Sequence, residues 1–205
     1  MSLFDLYYKD YEEWFEKYHE IYEEELKTVK TLLPKGRGME VGVGSGRFAA
    51  PLGIKFGIEP SRKMAEIARS KGLKVVETTA EEMDFEDEFD FILMVTTICF
   101  VKDPEKTISN CYRALKKGGY LLVAFVDLDS PLGRMYEKNK AKSKFYAPAT
   151  FFTKNDIINL MKKAGFNDFE CKENLYGDSL DSLTFGINGC NGGAFKVVKG
   201  KKDLK

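Results

Sequence analysis

The sequence predicts a single α/β domain in which helices cover both faces of a doubly wound, mostly parallel β-sheet. Three alternate glycines at 42–46 directly follow a short apolar strand pattern, and such spacing implies a turn with φ > 0 or the close approach of a ligand. Residues 89–95 form a near-continuous apolar run, which is typical of a strand buried on both faces of a parallel sheet. The 205 residues, 43% hydrophobic and 31% charged, are enough to bury one sizeable core.

The first 34 residues predict one long helix or two shorter ones with an apolar face built largely from Tyr, Phe and Trp. Pro34 ends this segment before the first strand. Two interpretations of the aromatic face stay open: packing on the sheet alone, or packing combined with a lid over a ligand. A lid would place Tyr11 beside a cofactor and Trp14 in the wall of a substrate pocket, because rings with polar tips suit a half-wet cleft.

The glycine loop is compatible with two ligands. From Gly44 the letters GSGRFA satisfy the dinucleotide pattern G-x-G-x-x-[GA], which would hold a pyrophosphate at a helix N-terminus. From Glu40 they satisfy [DE]-x-G-x-G-x-G, and this carboxylate would repel a phosphate but attract a cation. S-adenosylmethionine carries a sulfonium and an ammonium without phosphate, so Glu40 favours it over NAD. The predicted contacts of this loop are Glu40, Gly42, Val43, Gly44 and Gly46.

After a short helix at 47–52, a second strand at 54–58 leads into Glu59 and Pro60. A carboxylate at the end of this strand can accept hydrogen bonds from both ribose hydroxyls of an adenosine, so we predict Glu59 and Pro60 in the cofactor site. The competing interpretation is a helix N-terminal charge that faces water. Ser61 is expected to cap the next helix, on which Met64 either packs against adenine or fills the core.

A third strand is predicted at 73–77 and the fourth at 89–95. Ligands of open α/β sheets bind beyond the carboxyl ends of the strands, near the switch in strand order. We therefore place Thr96 in the cofactor site, and Thr97 and Phe100 against the acceptor. A helix opening at Asp103-Pro104, a turn at 118–119 and a fifth strand at 120–126 should follow.

The remaining chain predicts a basic helix at 134–142, an aromatic insert that offers Tyr146 and Phe151 to the acceptor, and a helix at 153–165. Strands are expected at 166–173 and 194–198, separated by a turn-rich segment at 186–193. The proposed division is an aromatic helical lid (1–34), a cofactor-binding core (35–127), a substrate-side insert with closing strands (128–198) and a solvated tail (199–205).

Charge and composition exclude several classes of function. The 32 basic and 32 acidic residues cancel, which gives no electrostatic reason to bind nucleic acid or an anionic membrane. The longest apolar run, 91–101, is shorter than the roughly 20 residues that a membrane span needs. Four scattered cysteines and one histidine indicate no zinc site and predict reduced thiols. We expect a cytoplasmic monomer or homodimer without a metal.

Taken together, the motifs of residues 35–127 resemble those of class I S-adenosylmethionine-dependent methyltransferases, in particular the type 11 (ubiquinone/menaquinone-biosynthesis-like) group. These motifs are the loop at 40–46, then residues 57–64, 79–81, 89–91 and 115–123. The resemblance implies a Rossmann-like sheet with order 3-2-1-4-5-7-6 and an antiparallel seventh strand. It also implies methyl transfer to a small-molecule acceptor by in-line displacement.

Two departures from the family pattern concern the site. The resemblance places Thr79, Ala80 and Glu81 at the adenine, but Thr79 stands where the family commonly has an Asp, and a hydroxyl accepts a hydrogen bond more weakly than a carboxylate. Ile98-Cys99-Phe100 replaces polar residues that the family often carries after the fourth strand. No catalytic residue is assigned, and the acceptor atom stays open between N, O and C. The alternatives are an NAD(P)-dependent oxidoreductase and a non-catalytic S-adenosylmethionine-binding protein.

Overall fold

A computed structural model describes residues 2–204 and contains one seven-stranded sheet. Its strands are β1 (Gly38–Val41), β2 (Phe56–Ile58), β3 (Lys74–Val76), β4 (Phe89–Val95), β5 (Leu115–Val126), β6 (Asn167–Asn174) and β7 (Phe195–Lys201). The strand order is β3-β2-β1-β4-β5-β7-β6, with parallel pairing from β3 to β5 and an antiparallel β7. The predicted fold class, strand order and antiparallel seventh strand are confirmed.

The helices are α1 (Leu3–Leu6), α2 (Tyr8–Lys17), α3 (His19–Leu32), α4 (Arg62–Ser70), α5 (Pro104–Ala114), α6 (Pro131–Asn139) and α7 (Lys154–Ala164). Side chains cap several of them: the Ser61 hydroxyl accepts from the Met64 amide at the start of α4, as predicted, and Thr153 forms a capping box on α7. Gly165 ends α7 in the left-handed region, with φ +107°. Between residues 2 and 204, no helix has the length and apolarity that crossing a bilayer requires.

The side chains of β4 alternate between two hydrophobic layers. Leu93 and Val95 pack in the layer that contains the buried residues of α2, α3 and α4. Ile92 and Met94 pack in the opposite layer, which contains those of α5 and α7. Successive side chains of a strand point to opposite faces, so a central strand covered on both faces must be apolar at nearly every position.

Several predicted boundaries differ from the structure. Residues 47–52 form turns, because Pro51 cannot continue a helix that begins at the loop. The amino-terminal segment divides into three helices. Strand β5 begins at Leu115, and β7 continues to Lys201, where it pairs with Tyr120 of β5. The predicted solvated tail at 199–205 therefore starts too early, because residues 199–201 belong to the sheet.

The prediction that all cysteines are reduced is wrong for one pair. Cys171 on β6 is disulfide-bonded to Cys190 in the glycine-rich segment 186–193, with the two Cα atoms 5.8 Å apart. Cys99 and Cys111 are free and buried. A separation of 19 residues without a recognisable motif carries no pairing signal in one sequence. The bridge arises because that segment folds back onto the edge strand, where Asn188 pairs with Glu173.

A buried ion-pair network joins β7 to the strands on both sides. The Nζ of Lys196 lies 2.6 Å from a carboxylate oxygen of Asp127, which follows β5, and 3.3 Å from one of Glu173 on β6. All three side chains are at least 95% buried. Lys196 also donates to the carbonyl of Gly193 at 2.9 Å. This lysine therefore ties together the three strands at one end of the sheet.

Candidate functional site

A cavity of about 780 Å³ lies beyond the carboxyl ends of the parallel strands. Its wall includes Val41, Ile58, Val95 and Val126, which end β1, β2, β4 and β5. In the sheet, β2 and β3 lie on one side of β1, and β4 and β5 lie on the other side. The strand order therefore switches between β1 and β4, and ligands of open α/β sheets bind at such switch points. The volume falls within the roughly 300–1,000 Å³ of small-molecule sites.

Most of the residues predicted for the site line this cavity. They are Tyr11, Trp14, Gly42, Gly44, Glu59, Pro60, Met64, Thr79, Ala80, Glu81, Thr96, Thr97, Phe100 and Tyr146. Four others do not reach its wall: Glu40, Val43, Gly46 and Phe151. Phe151 lines a separate small pocket behind Tyr146, with the two ring centroids 5.4 Å apart.

The glycine loop adopts backbone conformations that favour glycine. Gly42, Gly44 and Gly46 have φ values of +69°, +55° and +82°. A Cβ on Gly42 would overlap the side chain of Thr97, which follows β4. At Gly44 a Cβ would lie 3.4 Å from the hydroxyl oxygen of Tyr11. The loop thus presents bare backbone to the cavity, opposite a tyrosine of α2.

Glu59 connects the loop to the end of β2. Its carboxylate accepts hydrogen bonds from the Gly44 amide at 2.9 Å and the Ser61 amide at 2.8 Å. Burial raises the pKa of Glu59 to about 7, although these two hydrogen bonds oppose the shift. Carboxylate oxygens can accept more than two hydrogen bonds, so Glu59 can still receive ligand hydroxyls from the cavity.

Glu40 occupies a different place from the one that its charge suggested. Met39 and Val41 point into the α5–α7 layer, so Glu40 on the same strand points to the opposite face, beneath the loop. It is 2% exposed, and its Oε2 has no hydrogen-bond partner among residues 2–204. Burial raises its pKa well above the usual value, against a hydrogen bond from the Ala49 backbone. Any influence of Glu40 on a ligand is therefore exerted from behind the loop.

In the predicted adenine region, the side chains of Thr79 and Glu81 form hydrogen bonds with other groups of the protein. The Thr79 hydroxyl donates to Glu82 at 3.1 Å, which leaves its oxygen available as an acceptor. A carboxylate oxygen of Glu81 accepts from the amides of Lys102 and Asp103, at 2.6 and 3.1 Å. Glu81 thereby fixes the segment before α5 to this part of the cavity wall.

Polar contacts hold the amino-terminal helices onto the core. In α1, Asp5 accepts from the Ser61 hydroxyl at 2.6 Å and the Lys63 amide at 3.2 Å. At the end of the glycine loop, Arg47 pairs with Glu12 at 2.7 Å and Glu16 at 3.0 Å, both on α2. These helices therefore contact both the loop and the start of α4, the two segments that flank Glu59.

Six aromatic side chains form one wall of the cavity, which we call the aromatic wall. Phe4 lies edge-on to Phe100, with centroids 5.2 Å apart, and stacks on Phe145 at 5.9 Å. Tyr146 stacks on Phe100 at 6.1 Å and on Tyr136 of α6 at 5.1 Å. The wall consists of Phe4, Tyr11, Phe100, Tyr136, Phe145 and Tyr146.

The end of β4 carries backbone strain at the cavity. Thr96 has φ +47°, a region that β-branched residues rarely occupy and that costs on the order of 1–3 kcal/mol. Its amide donates to the Ala124 carbonyl at 2.8 Å, which holds the residue in place beside β5. The chain turns sharply here, and Thr96 and Thr97 both reach the cavity.

Sequence reasoning missed several residues of the cavity. The missed set includes Phe4, Glu25, Tyr136, Phe145, Leu175 and Leu180. Glu25 had a detectable signal, because it is an acid between Tyr22 and Val29 on the buried side of α3. The others come from segments whose resemblance to known motifs is weak, and only their packing brings them to the site.

The chain is similar in sequence and structure to several methyltransferases. A family model described as a methyltransferase domain matches residues 10–170. A crystal structure from Thermotoga maritima, described as a SAM-dependent methyltransferase and possible histamine N-methyltransferase, is 51% identical with a TM-score of 0.95, and the match covers 98% of this chain and 99% of that one. An uncharacterized protein of Methanocaldococcus jannaschii is 39% identical over 98% of this chain and 100% of its own length. Phosphoethanolamine N-methyltransferase 2 of Caenorhabditis elegans is 31% identical over 71% of this chain and 36% of its own length.

Proposed function

This chain belongs to the methyltransferase-domain family and is an S-adenosylmethionine-dependent methyltransferase, and from that premise we propose that it methylates a small molecule bound against the aromatic wall. The observation that carries the proposal is one continuous cavity of about 780 Å³ that reaches from Glu59 and Gly44 to Tyr136 and Glu25. Such a volume has room for a cofactor and a small acceptor side by side. A polymeric acceptor would need an extended groove.

The residues in the part of the cavity next to the carboxyl ends of β1, β2 and β4 suit the cofactor. Glu59 would accept the ribose hydroxyls, and Met64 and Ala80 would flank the adenine, with Thr79 as an acceptor for its amino group. The bare backbone of Gly42 and Gly44 would lie along the methionine part, opposite the Tyr11 hydroxyl. The unpartnered oxygen of Glu40 adds a polar group beneath this part of the loop, and its raised pKa favours the neutral acid.

When bound, S-adenosylmethionine supplies a methyl group on a positively charged sulfur. The protein's own contribution is to orient the acceptor for in-line attack and to exclude water. The aromatic wall serves both purposes, because its rings shape the pocket and their faces stabilise nearby positive charge. Helices α1 and α2 would act as a lid as well as a wall.

The ligand choice is tested by calorimetry. We expect saturable binding of S-adenosylmethionine and S-adenosylhomocysteine and no measurable heat with NAD, because Arg47 at the end of the glycine loop is paired with Glu12 and Glu16 and does not line the cavity, so it is not available to neutralise a pyrophosphate. Incubation with labelled cofactor and a panel of small amines, phenols and quinone precursors then identifies acceptors. Saturable NAD binding without a response to either adenosyl ligand would contradict the proposal.

The lid is tested through Tyr11. We expect Tyr11→Phe to weaken S-adenosylhomocysteine binding by about 0.5–1.5 kcal/mol, the net worth of one hydrogen bond. Hydrogen exchange should also report protection across residues 5–22 when this ligand binds. Tyr18→Phe is the matched control, since Tyr18 precedes α3 and does not line the cavity. Unchanged exchange together with parental affinity in Tyr11→Phe would leave these helices as scaffold.

A further inference from the structure

Glu25 is a buried carboxyl on the cavity side of α3. It is 7% exposed, yet it belongs to the cavity wall together with Trp14 of α2 and Ile21, which lies one turn earlier on α3. Tyr136 of α6 and Leu175, which follows β6, belong to the same wall, and Tyr136 lies close enough for the charge of Glu25 to raise its pKa further. The carboxyl therefore projects into a compartment formed otherwise by apolar and aromatic side chains.

Within residues 2–204, Glu25 has neither a hydrogen-bond donor nor a cationic partner. Its neighbour Glu24, in contrast, is bonded to Lys27 at 2.7 Å and to Asn174 at 3.0 Å. Burial raises the pKa of Glu25 to about 8, and no interaction offsets this shift. An unpaired buried carboxyl destabilises a fold, so a group retained at this position needs another explanation than stability.

The charged groups around Glu25 leave it without a counterion in the protein. The titratable side chains whose pKa values respond to it are Tyr11, Tyr136 and Tyr146, all raised by burial. On the strands that pack against α3, Lys196 is bonded to Asp127 and Glu173. The cationic side chains that the described residues bring to the cavity wall are Lys102 and Lys106, which lie with Glu81 and Asp103 in the predicted adenine region.

We infer that Glu25 binds the ammonium group of a small amine, whose apolar or aromatic body packs on the aromatic wall. A carboxylate in a dry, aromatic compartment is a favourable place for an organic cation, because ion pairing and cation–π contacts both stabilise it. The carboxylate would repel an anionic acceptor, and a neutral phenol would leave Glu25 protonated and without an ion pair. The inference rests on the proposed function, since the amine would be the methyl acceptor: its ammonium passes one proton to the Glu25 carboxylate, and the lone pair of the resulting neutral amine attacks the methyl group as the carbon–sulfur bond breaks.

Binding to the protein saturated with S-adenosylhomocysteine tests the inference directly. The probes are phenethylamine and its neutral counterpart 2-phenylethanol, measured by calorimetry at pH 8. We expect the parent protein to bind the amine about tenfold more tightly than the alcohol. Glu25→Gln should abolish this preference, because the amide retains the size of the side chain but not its charge. Glu20→Gln, on the exposed face of the same helix, is the matched control and should keep the preference.

The proton balance of binding gives a second readout. At pH 7 most Glu25 side chains carry a proton, which a bound ammonium would displace, so the heat of amine binding should depend on the ionisation enthalpy of the buffer. Glu25→Gln should lose that dependence. Glu59, which also titrates near neutral pH, is kept constant by the saturating adenosyl ligand.

The possible failures have different meanings. Equal affinities for amine and alcohol in the parent protein, or a preference that survives in Glu25→Gln, would overturn the ammonium site while leaving methyl transfer to a neutral acceptor intact. A loss of S-adenosylhomocysteine affinity in Glu25→Gln would assign this carboxylate to the cofactor and equally overturn the inference. Failure of the parent protein to bind S-adenosylhomocysteine would contradict the proposed function itself.

Thermal unfolding of Glu25→Gln at pH 8 should occur at or above the parental temperature, because the substitution removes an unpaired buried acid.

Discussion

Glu59→Ala is expected to weaken S-adenosylhomocysteine binding by roughly tenfold to several hundredfold. A hydrogen bond to a charged group contributes about 1.5–3 kcal/mol, and we propose that the ribose makes one or two such bonds with Glu59. The substitution also removes the acceptor that holds the Gly44 amide at 2.9 Å, so the loop loses a contact that shapes the site. Calorimetric titration of the variant against the parent protein measures the loss.

Two further variants separate ribose recognition from a general loss of charge. Glu59→Gln keeps one acceptor oxygen and should give an intermediate affinity. Glu77→Ala removes an exposed acid that pairs with Arg69 and is absent from the cavity wall, so it should bind like the parent. A folded Glu59→Ala protein whose affinity stays within about threefold of the parental value would show that Glu59 only fixes the loop.

Lys196→Met should lower the free energy of unfolding by about 3–5 kcal/mol, because it leaves the buried carboxylates of Asp127 and Glu173 without their cation. Although burial opposes ionisation of Glu173, backbone hydrogen bonds from 191–193 and the charge of Lys196 hold its pKa below the usual value. Glu173 therefore depends on this lysine for part of its charge stabilisation, and Asp127 is paired with the same cation. Denaturant unfolding at pH 7, with the disulfide kept oxidised in both proteins, measures the difference.

The control for this prediction lies on the same strand. Lys199 pairs with Glu170, whose side chain is 58% exposed, so Lys199→Met should cost at most about 1 kcal/mol. The double substitution of Asp127 and Glu173 by Asn and Gln in the Lys196→Met background should recover part of the lost stability. Equal unfolding midpoints for the two lysine variants would mean that water reaches the ion-pair network.

Patterns within short stretches of the chain were enough to predict the fold and the part of the site next to the carboxyl ends of the parallel strands. The apolar run of β4, the glycine loop and the acid after β2 each reflect a constraint acting within a few residues: burial on both faces, positive φ, or the end of a strand. Because parallel strands bring their carboxyl ends to one edge, the sequence alone is enough to place Gly42, Glu59 and Thr96 together.

Only the tertiary structure decided how the remaining groups meet. Glu40 is unusual in the sequence as an acid within an apolar strand, but the side of β1 on which it lies depends on which helices cover each face. Glu25 reaches the cavity, Cys171 meets Cys190 and Lys196 meets two acids because segments far apart in the chain pack together. Such contacts depend on how whole helices and strands pack against each other. In a single sequence the same residues are visible only as isolated apolar, charged or cysteine positions, without their partners.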